Sequence, residues 1–175
     1  LAMEGGVFRK CKLTGSSFNR CRMAFARFDQ CLLIDCEMSR CNLQEASLTD
    51  CDLSNSDIGN SELTEINLRK SILTKTNLSG CFLKNSVMID AEMHLCNFSQ
   101  SSLDGSYLAG AKMMACDFTA VDARGLKAQN VDFSGSLFEG AHLDSSEIQK
   151  GLFNFCNLSA ASMKECDLTK AQFSF

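Results

Sequence analysis

Residues 36–60 read CEMSR CNLQE ASLTD CDLSN SDIGN when written in fives. The third residue of each block is large and apolar: Met38, Leu43, Leu48, Leu53 and Ile58. The first is small: Cys36, Cys41, Ala46, Cys51 and Ser56. The other three are mostly polar. Carried outward in both directions, the same phase runs through all 35 blocks without slipping. The third slot holds Leu fifteen times, Phe nine times, Met seven times and Ile twice, and only Ala123 and Ala128 fail. A helix repeats every 3.6 residues and a strand every two, so neither produces a period of five. A square coil does. If each block forms one side and turns a corner, slots one and three point inward and slots two, four and five face water.

The first slot sharpens this reading. It is Cys, Ala, Ser, Gly or Thr in 30 of 35 blocks, and it contains all eleven cysteines. No Lys, Arg, Asp or Glu occupies slot one or slot three. The pattern resembles the pentapeptide-repeat family, whose consensus is A-(D/N)-L-x-x. The closest blocks are CNLQE, CDLSN, CDFTA, AHLDS, CNLSA and CDLTK. The resemblance covers the whole chain. It implies an all-β fold, a right-handed quadrilateral β-helix with four blocks per coil and about nine coils. At about 4.8 Å per coil the rod would be roughly 42 Å long.

Residues 1–175 are therefore expected to form a single solenoid domain. Its axis would be filled by slot-three side chains such as Leu33, Leu43, Leu53, Leu78, Phe98, Phe118 and Phe133. The irregular stretch is 121–130, where Val121 and Leu126 are large and Ala123 and Ala128 small. That swap roughly conserves volume, which cores tolerate. An altered cross-section is expected there, with no break.

Composition bounds the function. The chain is 45% hydrophobic, has no Pro or Trp, and carries a net charge of −4. A nucleic-acid binder would normally be basic. No apolar run approaches the roughly 18 residues of a membrane span, and no targeting segment is visible. The first residue is Leu1 rather than Met, and neither end offers the polar cap that a solenoid needs for solubility. Both points suggest a segment of a larger protein.

Eleven cysteines invite a metal or disulfide reading. Zinc needs four sulfurs about 2.3 Å from one point, which side chains packed between axial leucines cannot reach. Stacked pairs such as Cys11/Cys31 or Cys96/Cys116 would hold their Cβ atoms about 4.8 Å apart, beyond the usual disulfide span. Cysteine as a small buried hydrophobe is the preferred reading. His94 and His142 fall in outward slots on different sides and cannot pair. No catalytic motif interrupts the repeat, so neither enzymatic activity nor a cofactor is expected.

The surface is more informative, because blocks twenty residues apart share a side. The side containing block 1–5 is net −4 and the next is net +3; the third is net −1 and the fourth net −2. The third side, starting at block 11–15, is unusually apolar. Its outward slots hold Leu32, Ile34, Ile72, Leu95, Met114, Leu152, Phe155 and Phe175. Large apolar patches mark interaction sites. This side is the candidate contact for another protein, another copy of the chain or an adjoining domain.

The resemblance implies three functional branches. Some family members mimic DNA and bind type II topoisomerases such as gyrase, modulating quinolone sensitivity. Others are secreted bacterial effectors, and many are modules of larger proteins, including secretion-system components. B-DNA carries one negative charge per about 1.7 Å, so a rod of roughly 42 Å would need about 25 charges to match it. The chain's −4 falls far short, and no block is interrupted by a loop. The expectation is therefore a non-catalytic scaffold for protein–protein interaction within a larger bacterial protein. It would be cytoplasmic, or delivered into a host cell if an effector, and the gyrase-binding DNA mimic is the alternative.

Overall fold

The computed structural model describes residues 1–174; Phe175 lies outside the described residues. Parallel bridges join each slot-two residue to the residue twenty positions on, from Ala2↔Arg22 to Leu152↔Gln172. Twenty residues therefore make one turn of the coil, and four five-residue blocks make its four sides. Two successive bridges on the second side extend into three short strands, β1 (Val7–Arg9), β2 (Arg27–Asp29) and β3 (Ser47–Thr49). They pair in parallel in the order β1-β2-β3.

The backbone bonds explain why five residues suffice for a side. Outside the strands, slots two, three and five donate their N–H groups to neighbouring coils, as in Asn42 to Cys21, Leu43 to Glu62 and Glu45 to Thr64. Slot one generally closes a turn onto the slot-three carbonyl of the preceding block, as in Ala46 to Leu43 at 3.0 Å. The slot-four N–H has no backbone partner there. Where slot two is Asp or Asn, its side chain accepts that N–H: Ser79 donates to Asn77 Oδ1 at 3.1 Å and Thr119 to Asp117 Oδ1 at 2.9 Å. This is the Asx-turn, which satisfies an otherwise orphaned donor.

The corner is made by slot five. Every slot-five residue from Gly5 to Lys170 has a positive φ, between 52° and 73°, and only eight of them are glycine. A left-handed residue costs about 1–2 kcal/mol when it is not glycine. Repeated inter-coil hydrogen bonds and axial packing offset that cost.

Slots one and three line the interior. Leu33, Leu43, Leu53, Leu78, Phe98, Phe118 and Phe133 are all buried. The same slots are only partly covered in the first coil (Met3, Phe8, Leu13, Phe18) and the last (Leu158, Met163, Leu168), because each packs against one neighbour instead of two. Phe98, Phe118 and Phe138 stack along the fourth side with centroids 5.1 and 4.7 Å apart. Phe133 meets Phe118 and Phe138 edge-on at 5.5 and 5.1 Å.

The ladder passes through 121–130 unbroken, by way of Ser102↔Asp122↔His142 and Tyr107↔Lys127↔Glu147. Val121, Ala123, Leu126 and Ala128 are all buried. The coil that carries Ala123 and Ala128 on two sides carries Phe133 and Phe138 on the other two. Two phenyl rings in edge contact take up the axial volume that four medium side chains share elsewhere, so small residues fit opposite them.

Candidate interaction surface

The inward surface is chemically quiet. Slot-one hydroxyls and thiols form a ladder between coils. Ser56 Oγ donates to the Leu33 carbonyl at 2.6 Å and accepts the Cys36 N–H at 2.9 Å. Cysteines occupy the same position: Cys96 Sγ donates to the Leu73 carbonyl at 2.8 Å and Cys116 Sγ to Met93 at 2.7 Å. Reading cysteine as a small hydrophobe therefore missed half of its role, since the thiol also satisfies a carbonyl. The free alternation of Ser and Cys in slot one was the available signal.

All eleven cysteines are free, nine of them buried and Cys11 and Cys166 partly so. Burial pushes the Cys51 and Cys81 thiols up to about 12. A thiol held protonated is a poor nucleophile and a poor metal ligand. Among the described residues no three His, Cys, Asp or Glu converge as a metal-binding group. His142 is exposed on the first side, and His94 lies on the third with its Nδ1 buried and without a hydrogen-bond partner. No helix among the described residues is long and apolar enough to cross a membrane.

Among the candidate residues of the third side, Leu32, Ile72, Leu95, Met114 and Phe155 are exposed, while Ile34 and Leu152 are half-buried. Phe175 lies outside the described residues. The register resolves them into columns, and the columns are not continuous. Along slot two the order is Lys12, Leu32, Asp52, Ile72, Glu92, Lys112, Asp132, Leu152. Asp52 thus separates Leu32 from Ile72. Above Ile72, Glu92 and Lys112 form an ion pair at 2.8 Å, and the lysine holds the Glu92 carboxyl below its usual range. The seven residues fall into separate groups: Leu32 and Ile34; Ile72; Leu95 and Met114; Leu152 and Phe155.

Other exposed apolar residues were not among the candidates. Leu137 projects from slot two of the fourth side, and Phe25 and Phe82 from the first. Tyr107, on the second side, carries Lys127 over its ring at 4.7 Å. The first side's acids are partly paired, with Arg22–Glu4 at 3.0 Å and Arg124–Asp122 at 2.6 Å. These pairs are exposed and contribute little to stability.

A parallel coil of four five-residue sides, with a turn at every fifth residue, defines a quadrilateral β-solenoid of the all-β class. Family comparison agrees along most of its length: the model "Pentapeptide repeat region" matches residues 2–78, and "Pentapeptide repeats (8 copies)" matches residues 91–125. The chain belongs to the pentapeptide-repeat family, and its fold is that family's right-handed quadrilateral β-helix.

Similar solved structures include trypsin-treated QnrB1, a plasmid-mediated fluoroquinolone resistance protein, at 19% identity and TM-score 0.48, covering 98% of this chain and 85% of that one. HetL, a pentapeptide repeat protein involved in heterocyst differentiation regulation from the cyanobacterium Nostoc sp. strain PCC 7120, matches at 17% identity and TM-score 0.42, covering 98% and 88%. A pentapeptide repeat protein from the Arabidopsis thaliana thylakoid lumen matches at 20% identity and TM-score 0.31, covering 64% and 68%. No curated protein matches significantly.

Proposed function

We propose that this chain is a non-catalytic repeat scaffold that presents its outer surface to another protein, as a module of a larger bacterial protein. The observation that carries the reading is the concentration of exposed large apolar side chains on the third side: Leu32, Ile72, Leu95, Met114 and Phe155. Burying such surface on a partner is favourable by about 25 cal/mol per Å². The same surface is too mixed in sign to imitate a nucleic acid, because the adjoining second side is net positive. In the interior, burial raises the Cys51 and Cys81 thiols to about 12, and no group of metal ligands is found among the described residues.

The double substitution Ile34→Asp with Ile72→Asp tests the reading. Both positions are outward slots, so the circular dichroism spectrum should not change. Self-association by sedimentation, or partner retention in pull-down, should fall. Unchanged association with an intact fold refutes the third side as an interface.

A further inference from the structure

At the corner between the third and fourth sides, the slot-five column runs Leu95, Ala115, Gly135, Phe155. Leu95 and Phe155 are 52% and 71% exposed, and they stand three coils apart, about 14 Å. Between them the corner drops to a methyl group and a glycine. A Cβ placed on Gly135 would meet only Ala115 atoms, at 3.9–4.0 Å, so the space above the glycine is open. Met114 stands in the next column on one flank and Leu137 on the other, 40% and 46% exposed. The result is an apolar saddle, with Leu95 and Phe155 at its ends and Met114 and Leu137 each flanking it on one coil, at the place where two flat sides meet.

Its rim is acidic, with Lys112 the cation beside it. On the two sides that meet at Gly135, the outward residues of its coil are Asp132, Ser134, Gly135, Leu137, Glu139 and Gly140, and Asp117 pairs with Leu137 in the coil beneath. No ion pair among the described residues engages Asp117, Asp132 or Glu139, whereas Lys112, the lysine beside Asp132, is already held by Glu92. An apolar depression rimmed by carboxylates that no cation engages repels acidic segments and anionic surfaces. It attracts a bulky side chain that arrives with cations on either side.

We infer that this saddle docks a segment of a partner protein in which a large apolar side chain is flanked by lysine or arginine. The inference rests on the scaffold reading above and specifies its partner and its place. The apolar residue seats over Ala115 and Gly135 between Leu95 and Phe155, and the flanking cations meet Asp117, Asp132 and Glu139.

Fluorescence anisotropy with three labelled synthetic peptides tests this. One has a central tryptophan flanked by two lysines and two arginines, one replaces the tryptophan with serine, and one replaces the basic residues with glutamate. Only the first should bind, and added salt should weaken it. Ala115→Gln fills the saddle without disturbing the corner, because slot five already takes Gln30 and Gln100 at φ 53° and 58°, against 56° for Ala115. Leu137→Asn removes one wall, at a slot that already takes Asn77, Asn97 and Asn157. Each should weaken binding about tenfold, as expected for a central anchor contact.

Failure of the basic tryptophan peptide to bind overturns the inference. So does equal binding of the acidic peptide, or binding that neither variant changes. If Ile34→Asp with Ile72→Asp lowers association while the saddle variants bind as the parent does, the docking site falls and the scaffold reading stands.

Discussion

Ser56→Ala tests the slot-one ladder. Ser56 is buried, and its hydroxyl joins two backbone groups of the coil below: it donates to the Leu33 carbonyl at 2.6 Å and accepts the Cys36 N–H at 2.9 Å. No backbone bond links those two groups directly, so the turn between them is open. Each neutral bond is worth about 1 kcal/mol net, and an orphaned buried group costs about 1–3 kcal/mol. With no relaxation the loss would reach several kcal/mol. The molecule has a relaxation available, however. Wherever the slot-one residue one coil on is Ala, Val, Leu, Ile or Gly, the turn is closed, as in Ala26 to Met23 under Ala46 and Ser101 to Phe98 under Val121. Closing the Leu33–Cys36 turn would pair the two groups and bring the cost of Ser56→Ala down to about 1–2 kcal/mol. Ser56→Cys should cost less, because Cys51 makes the same two contacts, accepting from Cys31 N–H at 3.4 Å and donating to the Phe28 carbonyl at 3.5 Å. Urea unfolding of the three proteins measures the differences, and hydrogen exchange at Cys36 reports the turn. An alanine variant as stable as the parent, or a cysteine variant as damaged as alanine, would refute the ladder.

Three further outcomes are expected. Leu78→Ala, at a fully buried axial position, should cost about 2–5 kcal/mol by urea unfolding, and a loss below about 1 kcal/mol would show that the slot is not axial. Lys75 is exposed with φ 61°, so Lys75→Ile should destabilise by about 1–2 kcal/mol while Lys75→Gly should not, and equal stabilities would remove the left-handed corner as a source of strain. Burial raises the Cys51 and Cys81 thiols from 9.0 to about 12, so between those values the unfolded chain releases protons that the folded chain keeps. Stability is therefore full below about pH 9 and falls as pH rises toward 12, by up to about 1.4 kcal/mol per pH unit for each such thiol; replacing both cysteines with serine should flatten the urea midpoint against pH, and an unchanged slope would contradict it.

The inward half of the repeat could be read from the chain because its chemistry is redundant. Dozens of large and small residues repeat one steric demand, so occasional exceptions such as Ala123 do not obscure it. The corner was equally present in the sequence, though written as an omission. No Val, Ile or Thr occupies slot five, which is what positive φ demands of β-branched residues. The Asp and Asn of slot two belong to the same category, as their side-chain Oδ1 atoms accept the slot-four N–H.

The surface was less accessible, because sorting residues by side discards their height along the rod. Leu32 and Ile72 share a side, yet Asp52 stands between them. Leu137 lies on a different side from Leu95 and Phe155, yet the corner brings it to them. Contiguity on a solenoid depends on both coordinates together, and a corner is the one place where two sides are neighbours.

The two nested periods have a consequence for how such a molecule tolerates change in length. Packing is indexed by position modulo five, while the direction in which an outer residue points is indexed modulo twenty. Removing one block would leave every interior side chain interior, but would carry all that follows a quarter of a revolution around the axis. The acidic side of one half would then continue into a different side of the other half, and a docking surface spanning the cut would be severed while the rod stayed intact. Removing four blocks would shorten the rod by one coil and leave every surface aligned. Deleting residues 56–60 and deleting residues 56–75 should thus give two folded proteins, and only the longer deletion keeps the saddle on the same azimuth as Leu32.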